Sequence, residues 1–261
     1  MIKALFLDVD GTLISFKTHE VPASTLEALH RAHARGVRLF IATGRAAGDL
    51  GQLEEIPYDG VVALNGADCL MRDGTPVARH PVPRADFERA MELSDRYGFS
   101  LAFELNEGLF INRLSPAAEE WSRLVAHPMP VETDLYALFD KVECCQMCFF
   151  FDPELEREVM PQLPGLVTGR WCPIFVDVNV RGIDKATGMA EFAAHFGFAH
   201  DETMAFGDGG NDVAMLRAAG VGVAMGNACD EALGAAGHVT ASVDDDGILK
   251  ALEKFGVIDK Q

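Results

Sequence analysis

The strongest constraint on the fold is an apolar segment near the start of the chain that ends in two acids. Residues 2–7 are an almost unbroken apolar run, a pattern typical of a strand buried on both faces of a parallel sheet. Asp8 and Asp10 follow two residues apart, so in extended backbone their side chains point the same way. Gly11 permits a sharp turn directly after them. Carboxylates held together repel each other, so the pair indicates a cation and chemistry, with an ordinary Asp-Gly turn as the alternative.

Strand and helix patterns alternate in the first and last parts of the chain. In the first part, the pattern predicts helices at 22–35 and from about 46, and strands at 37–42 and 60–64. In the last part, it predicts helices at 185–196 and 229–236, and strands at 203–206, 221–224 and 239–240. Strands joined by helices of this length favour right-handed βαβ units. We therefore predict an α/β fold with a Rossmann-like, doubly wound parallel sheet.

The pattern changes between residues 81 and 182, after a hairpin signal at Asp73-Gly74. The mixed region contains predicted helices at 84–97, 116–125 and from 153, and predicted strands near 101–103, 109–111, 143–151 and 174–180. About 100 residues is a usual size for a domain. We predict a discontinuous core, residues 1–80 and 183–261, that carries an inserted α+β domain at 81–182.

Composition narrows the classes of partner. The formal net charge is −18 and the pI is about 4.7, which argues against nucleic acid or an anionic membrane as a partner. The apolar run at the start is interrupted by acids too early for a signal peptide, and no apolar segment reaches the roughly 18 residues needed to span a bilayer. Cytoplasmic location is the expectation, and a monomer is the default for the oligomeric state.

The six cysteines agree with a reducing compartment. Cys144, Cys145 and Cys148 lie in one predicted strand. A zinc site would need a second group of ligands at similar spacing, and the sequence offers none. Buried, reduced thiols are the preferred interpretation.

Polar residues follow four of the predicted core strands. They are Asp8 with Asp10, then Thr43, then Asn65, and then Asp208 with Asn211 and Asp212. In a doubly wound sheet the ligand crevice lies at the carboxyl ends of the strands. The glycines around Asp208 would allow the backbone to approach a ligand closely, and the helix that follows would favour an anion.

Lys185 stands at an unusual position for a lysine. It falls in the first turn of a predicted helix, where a positive charge opposes the helix dipole at a cost of about 0.3–1 kcal/mol. One explanation is an exposed lysine that the helix tolerates; the other is that carboxylates and an anionic ligand attract it. Asp8, Asp10, Asp208 and Asp212 would carry four negative charges. One Mg²⁺ and Lys185 would reduce these to one, and protonation of Asp10 would remove the last. Oxygen ligands beside a phosphate suit Mg²⁺ better than zinc.

These residues resemble the four motifs of the haloacid dehalogenase (HAD) superfamily of phosphotransferases. The matching positions are Asp8-Val9-Asp10-Gly11-Thr12, Thr43, Lys185 and Gly207-Asp208-Gly209-Gly210-Asn211-Asp212. The place of the insert and the run Ala42-Thr43-Gly44-Arg45 are similar to the Cof-type branch, class IIB, whose members carry a C2B cap domain. The resemblance covers the whole chain and is strongest to sugar-phosphate phosphatases, including bacterial hexose-phosphate phosphatases.

The resemblance implies a Mg²⁺-dependent phosphomonoester hydrolase that acts on small phosphorylated metabolites, above all hexose phosphates. Asp8 would be the nucleophile that forms an aspartyl-phosphate, and Asp10 the general acid and base. The metal would be held by the carboxylates of Asp8 and Asp208 and by the backbone carbonyl of Asp10.

The remaining implied roles concern the transferring phosphoryl group. Thr43, Gly44, Lys185 and Asn211 would bind its oxygens. Asp212 would position Lys185 and the metal's water from one layer further out. Arg45 and Asn65 are candidates for the rim of the site.

Two other functions fit the same residues less well. A phosphohexomutase of the superfamily would use the same aspartyl-phosphate chemistry, with a sugar hydroxyl in place of water. A protein of a different class, a binding protein regulated by phosphorylation of its acids, would need neither Asp10 as a general acid nor a large insert.

Overall fold

The computed structural model describes residues 1–125 and 127–260, and these form two compact units. The first unit contains Met1–Ala78 and the chain from Ile183 onward, and the second is Arg79–Gly182. The sequence predicts the two junctions at 80/81 and 182/183. None of the helices in the described residues is long and apolar enough to cross a membrane.

The elements are as follows, in chain order. The strands are β1 (Ala4–Leu7), β2 (Arg38–Ala42), β3 (Gly60–Ala63), β4 (Asp68–Met71), β5 (Pro76–Arg79), β6 (Ser100–Leu105), β7 (Gly108–Ile111), β8 (Val131–Glu132), β9 (Met147–Phe150), β10 (Leu166–Cys172), β11 (Phe175–Val180), β12 (Thr203–Gly207), β13 (Val221–Ala224) and β14 (His238–Val239). The helices are α1 (Ala23–Ala34), α2 (Arg84–Tyr97), α3 (Pro116–Leu124), α4 (Leu135–Phe139), α5 (Pro153–Val159), α6 (Lys185–Phe196), α7 (Val213–Ala218), α8 (Asp230–Ala235) and α9 (Gly247–Lys254).

The first unit is organised around β1, which lies near the middle of an eight-stranded sheet. The strand order is β14-β13-β12-β1-β2-β3-β4-β5. The six strands from β14 to β3 run parallel, and β4 returns antiparallel to β3. The predicted α/β class with a parallel core sheet is confirmed.

Helices cover both faces of this sheet. Successive side chains of a strand point to opposite faces, so each central strand contributes apolar side chains to both layers. Phe6 and Phe40 pack in one apolar cluster with Phe192 of α6, Met215 of α7 and residues of α8. The intervening residues of β1 are also fully buried and point to the opposite face. On that account β1 is apolar throughout, as expected for a strand without a solvent-exposed face.

The second unit has its own six-stranded sheet, in the order β10-β11-β9-β6-β7-β8. Its strand pairs are antiparallel apart from β7 with β8. Phe87 of α2 and Val159 of α5 pack with Phe103 and Phe149 in one cluster. Trp121 of α3 packs in another, with Phe150 and Phe175. The unit therefore has an α+β architecture.

Local structure differs from the sequence patterns in four places. The helix predicted from about residue 46 is absent from the structure, which has two short 3₁₀ turns, Ala47–Asp49 and Gly51–Leu53, in its place. Gly48 and Gly51 lower the helix propensity of this stretch. The patterns also miss α4, the two-residue strand β8 and β10. Gly169 and Arg170 interrupt the apolar pattern of β10, and its register with β11 shifts at this point.

Candidate active site

The carboxyl ends of four neighbouring parallel strands deliver polar residues to one edge of the core sheet. Asp8 follows β1, Thr43 follows β2, Asn65 follows β3 and Asp208 follows β12. Since β12, β1, β2 and β3 are adjacent and parallel, these ends lie side by side. This edge is the crevice in which an open α/β sheet binds its ligands.

A buried lysine joins two of the acids at this edge. Lys185 Nζ donates to Asp8 Oδ1 and to Asp212 Oδ1, each at 2.6 Å. Lys185 and Asp212 have no solvent exposure, and Asp8 is 7% exposed. Lys185 opens α6 directly after Asp184, whose carboxylate accepts the Thr187 N–H and caps the helix. The lysine therefore stands at the helix start because two carboxylates compensate its charge there.

Asp212 supports the loop that carries Asp208. Its second oxygen, Oδ2, accepts the backbone N–H of Asp208 at 3.0 Å and that of Gly209 at 2.9 Å. Both oxygens of Asp212 are thus engaged, one by Lys185 and one by the backbone. The carboxylate fixes the position of the acidic loop against the lysine.

The protonation of these groups reflects burial and mutual charge. Burial and the charge of Asp212 raise the pKa of Asp8 well above its usual range, and Lys185 opposes this only in part. Burial alone would lower the pKa of Lys185, but the carboxylates of Asp212 and Asp8 outweigh it and raise that pKa. Burial and Asp212 raise the pKa of Asp208 to about 6. Lys185 is therefore cationic, and the raised pKa values of Asp8 and Asp208 reflect more carboxyl groups than one lysine can balance.

The donor set at this edge fits a hard divalent cation. Asp8, Asp208 and Asp212 each offer a carboxylate oxygen, and these oxygens lie within 4.8 Å of one another. The oxygens of Asp212 accept short hydrogen bonds of 2.6–3.0 Å, whereas those of Asp208 accept longer bonds of 3.3 Å, so the carboxylates of Asp8 and Asp208 are the better ligands. Thr12 Oγ1 donates to Asp208 Oδ1 at 3.3 Å and orients it. Carboxylate oxygens with excess negative charge suit Mg²⁺.

The carboxylate of Asp10 is held by Arg45. Arg45 Nε donates to Asp10 Oδ2 at 3.0 Å and Nη2 to Oδ1 at 2.5 Å. Asp10 is half-buried, with 44% of its side chain exposed. Arg45, predicted at the rim, thus contacts the side chain that is predicted to transfer protons.

The residues predicted to bind phosphate form a second group of contacts. Thr43 is buried, and its Oγ1 accepts the Arg45 N–H at 3.1 Å. Asn211 Nδ2 donates to Asn65 Oδ1 at 3.0 Å. Gly44 lies against the amide of Asn65, since a Cβ on Gly44 would stand 3.2 Å from Asn65 Nδ2. Asn65 therefore lies between the loop after β2 and the loop after β12.

Sequence reasoning missed one residue at this edge, Asn227. Its Nδ2 donates to the Gly11 carbonyl at 2.8 Å and to Asp208 Oδ2 at 3.3 Å, and its Oδ1 accepts the Val243 N–H. Asn227 follows β13, so the available signal was a fifth polar strand end in the same sheet. Close packing here also explains Gly11: its φ is +86°, and a Cβ would lie 2.1 Å from Asp208 Oδ2.

A carboxylate at the end of the central strand, beside a buried lysine and an acidic glycine loop, is typical of phosphoryl-transfer enzymes that react through an aspartate. The family model of haloacid dehalogenase-like hydrolases matches residues 5–252. The chain belongs to this family.

Solved structures and curated relatives are similar to this chain over nearly its whole length. The structure of BT1666 from Bacteroides thetaiotaomicron, analysed among phosphatases of this superfamily, matches with a TM-score of 0.94 and 52% identity, over 99% of this chain and 96% of that one. The subclass IIB sugar phosphatase BT4131 matches with a TM-score of 0.86 and 38% identity, over 98% and 100%. The 5-amino-6-(5-phospho-D-ribitylamino)uracil phosphatase YcsE of Bacillus subtilis is 27% identical over 263 residues, 97% of this chain and 96% of YcsE.

These matches confirm the superfamily and the Cof-type branch that the motifs resemble. The chain is an enzyme of the phosphatase class. Enzymes of this superfamily generally use Mg²⁺, in keeping with the acidic donor set described above.

Proposed function

We propose that the enzyme is a Mg²⁺-dependent phosphomonoester hydrolase that forms an aspartyl-phosphate on Asp8 and acts on sugar phosphates, chiefly hexose phosphates. The observation that carries this proposal is the buried contact of Lys185 with Asp8 and Asp212 at the end of β1. The sugar preference is supported by the 38% identity to the sugar phosphatase BT4131.

Asp8 is the nucleophile in this proposal. Its carboxylate attacks the phosphorus, the bond to the leaving oxygen breaks, and the phosphoryl group is carried on Asp8 until water releases it. Lys185 holds Asp8 Oδ1 at 2.6 Å and so fixes which oxygen remains for attack. The cationic lysine also lowers the repulsion between this carboxylate and a phosphate dianion.

Asp10 moves the protons of both steps. It donates a proton to the leaving alcohol oxygen, and it then accepts one from the water that attacks the aspartyl-phosphate. Arg45 aims the Asp10 carboxylate through two hydrogen bonds.

Thr43, Gly44, Lys185 and Asn211 bind the oxygens of the transferring group in this scheme. The carboxylates of Asp8 and Asp208 and the carbonyl of Asp10 would hold Mg²⁺, which supplies positive charge that screens nucleophile from phosphate. Asp212 positions Lys185 and the Asp208 loop through its three hydrogen bonds.

We further propose that the two units have different functions. The unit with Asp8 and Lys185 is the catalytic core, and Arg79–Gly182 is a C2B-type cap domain. The substrate is a small molecule; nucleic acid and membranes are not partners of so acidic a chain. Cytoplasmic location and a monomeric state complete the proposal.

The test is phosphate release with Mg²⁺ from a panel of hexose, pentose and triose phosphates, nucleotides and pyridoxal phosphate. Asp8→Asn, which keeps the shape of the side chain, is the matched control. Turnover of hexose phosphates by the wild type that disappears in Asp8→Asn supports the proposal. Folded, metal-loaded enzyme that releases phosphate from none of the panel overturns it. Transfer of phosphate between positions of one sugar, without release, would identify a phosphohexomutase instead.

A further inference from the structure

The turn after β3 has an unusual backbone. Leu64 and Asn65 are consecutive non-glycine residues with φ of +50° and +55°, and Gly66 follows with φ of +97°. The left-handed region is unfavourable for residues with a Cβ, and least so for asparagine. Backbone strain of this kind persists where the surrounding structure enforces it, and it is concentrated at functional sites.

Hydrogen bonds tie this turn to the segment after β2. The Leu64 N–H donates to the Arg45 carbonyl at 3.1 Å, and the Asn65 N–H donates to the Thr43 carbonyl at 2.9 Å. On its other side, Gly66 touches the start of α6, because a Cβ at Gly66 would lie 2.0 Å from the Asp184 carbonyl oxygen. The strained turn is therefore packed between two segments that carry proposed phosphate ligands.

The side chain of Asn65 adds a third connection. Its Oδ1 accepts from Asn211 Nδ2 at 3.0 Å, and its amide lies over Gly44. The acceptor role of Oδ1 fixes the Asn211 amide, which can then present its remaining N–H to a ligand. One residue thus contacts Thr43, Gly44 and Asn211.

We propose that Asn65 is a positioning residue: it holds the Thr43–Gly44 segment and the Asn211 side chain at the spacing that a phosphate dianion requires. This inference rests on the proposed function. The left-handed backbone sends the Asn65 N–H to Thr43 while its side chain reaches Asn211, and asparagine combines tolerance of that backbone with an amide. Glycine would suit the backbone equally well but would leave Asn211 and Gly44 unsupported.

The variant Asn65→Gly separates the role of the side chain from that of the backbone. Glycine adopts the left-handed backbone without strain, so only the amide is lost. We expect its melting temperature to equal or exceed that of the wild type. We expect the inhibition constant of inorganic phosphate to rise about tenfold or more, since misplaced ligands bind the anion poorly. Mg²⁺ binding, followed as the thermal shift on metal titration, should stay as in the wild type.

His19→Gly is the matched control. His19 is also left-handed, with φ of +57°, and it takes no part in the proposed phosphate site, so this variant should relieve backbone strain without changing phosphate inhibition. Wild-type phosphate inhibition in Asn65→Gly would overturn the inference. Loss of melting temperature and Mg²⁺ binding together with phosphate binding would also overturn it, because the role would then be general folding.

Failure of the proposed function is recognisable separately. In that case the wild type itself would neither hydrolyse phosphomonoesters nor bind inorganic phosphate in calorimetry. An active wild type with an unaffected Asn65→Gly variant would reject the positioning role alone.

Discussion

Arg45 grips the carboxylate of Asp10 with two hydrogen bonds, Nε to Oδ2 at 3.0 Å and Nη2 to Oδ1 at 2.5 Å, across 35 positions of sequence. The planar guanidinium matches both carboxylate oxygens and so fixes the plane of the carboxyl group as well as its place. The proposed proton-transfer group is therefore oriented by a neighbour on the adjacent strand end.

The first prediction concerns this pair. Arg45→Lys keeps the charge but cannot make two parallel bonds, so we expect kcat to fall about tenfold while the melting temperature stays nearly constant. Arg38→Lys is the control, since Arg38 pairs with Asp59 away from the site. Steady-state kinetics on the best substrate measure the effect; wild-type kcat in Arg45→Lys would show that Asp10 needs no such orientation.

The second prediction concerns pH and Asp208. Its pKa of about 6 lies above the ordinary value of 3.8, so between these values the folded state binds more protons than the unfolded state. The stability of the metal-free protein therefore falls as pH rises through this window. Asp208→Asn removes the charge and should melt above the wild type at pH 7.5, with the difference shrinking towards pH 4.

The same variant tests the metal site. Mg²⁺ should raise the melting temperature of the wild type, because it binds the folded state, and should have little effect on Asp208→Asn. Differential scanning calorimetry with and without EDTA gives both readings. Equal Mg²⁺ shifts in the two proteins would remove Asp208 from the ligand set.

The third prediction concerns the buried lysine. Lys185→Met has a similar length but leaves Asp8 and Asp212 buried without their cation, which should cost about 3–5 kcal/mol of unfolding free energy. The control is Lys3→Met. Lys3 forms an ion pair with Glu202, and its side chain is 57% exposed; such exposed pairs contribute about 0–1 kcal/mol. Urea unfolding at pH 7 measures both, and equal losses would contradict a special role for Lys185.

The fourth prediction compares two glycines with the same backbone conformation. Gly11 and Gly36 have φ of +86° and +84°, but only the Cβ of Gly11→Ala would meet a neighbour within 4 Å, namely Asp208 with Phe16. Both alanine variants should lose roughly 1–2 kcal/mol from left-handed strain. Gly11→Ala should in addition raise the Mg²⁺ concentration needed for half-maximal activity. A similar increase in Gly36→Ala would trace the effect to strain alone.

The fold class and the polar residues at the carboxyl ends of the strands are predicted well from the sequence, because both depend on local patterns. The apolar run before Asp8 identifies a buried strand, and each polar residue directly after a strand is read from its own neighbourhood. Lys185 is recognisable because it opposes a helix dipole. These signals need no knowledge of which strands become neighbours.

Other features depend on tertiary contacts that no local pattern contains. The Arg45–Asp10 pair forms between two loops, and Asn227 reaches Gly11 and Asp208 from a strand two places away in the sheet. The left-handed turn at Leu64 and Asn65 is unfavourable by local preference, and only its surroundings stabilise it. β10 is missed because its pairing with β11 tolerates a register shift where its apolar pattern fails.

The position of β1 between β2 and β12 has a consequence for folding during translation. Asp8 is made well before Lys185, Asp208 and Asp212; Thr12 and Asp208, which are hydrogen-bonded, are 196 positions apart. At about 5–20 residues per second, roughly 10–40 seconds pass before the nascent β1 can acquire its second neighbour. The contiguous unit Arg79–Gly182 is synthesised whole within that interval. Until Lys185 has been made, the nascent chain therefore carries an acid pair without its lysine, and the reaction centre can assemble only after Asp212 has been synthesised.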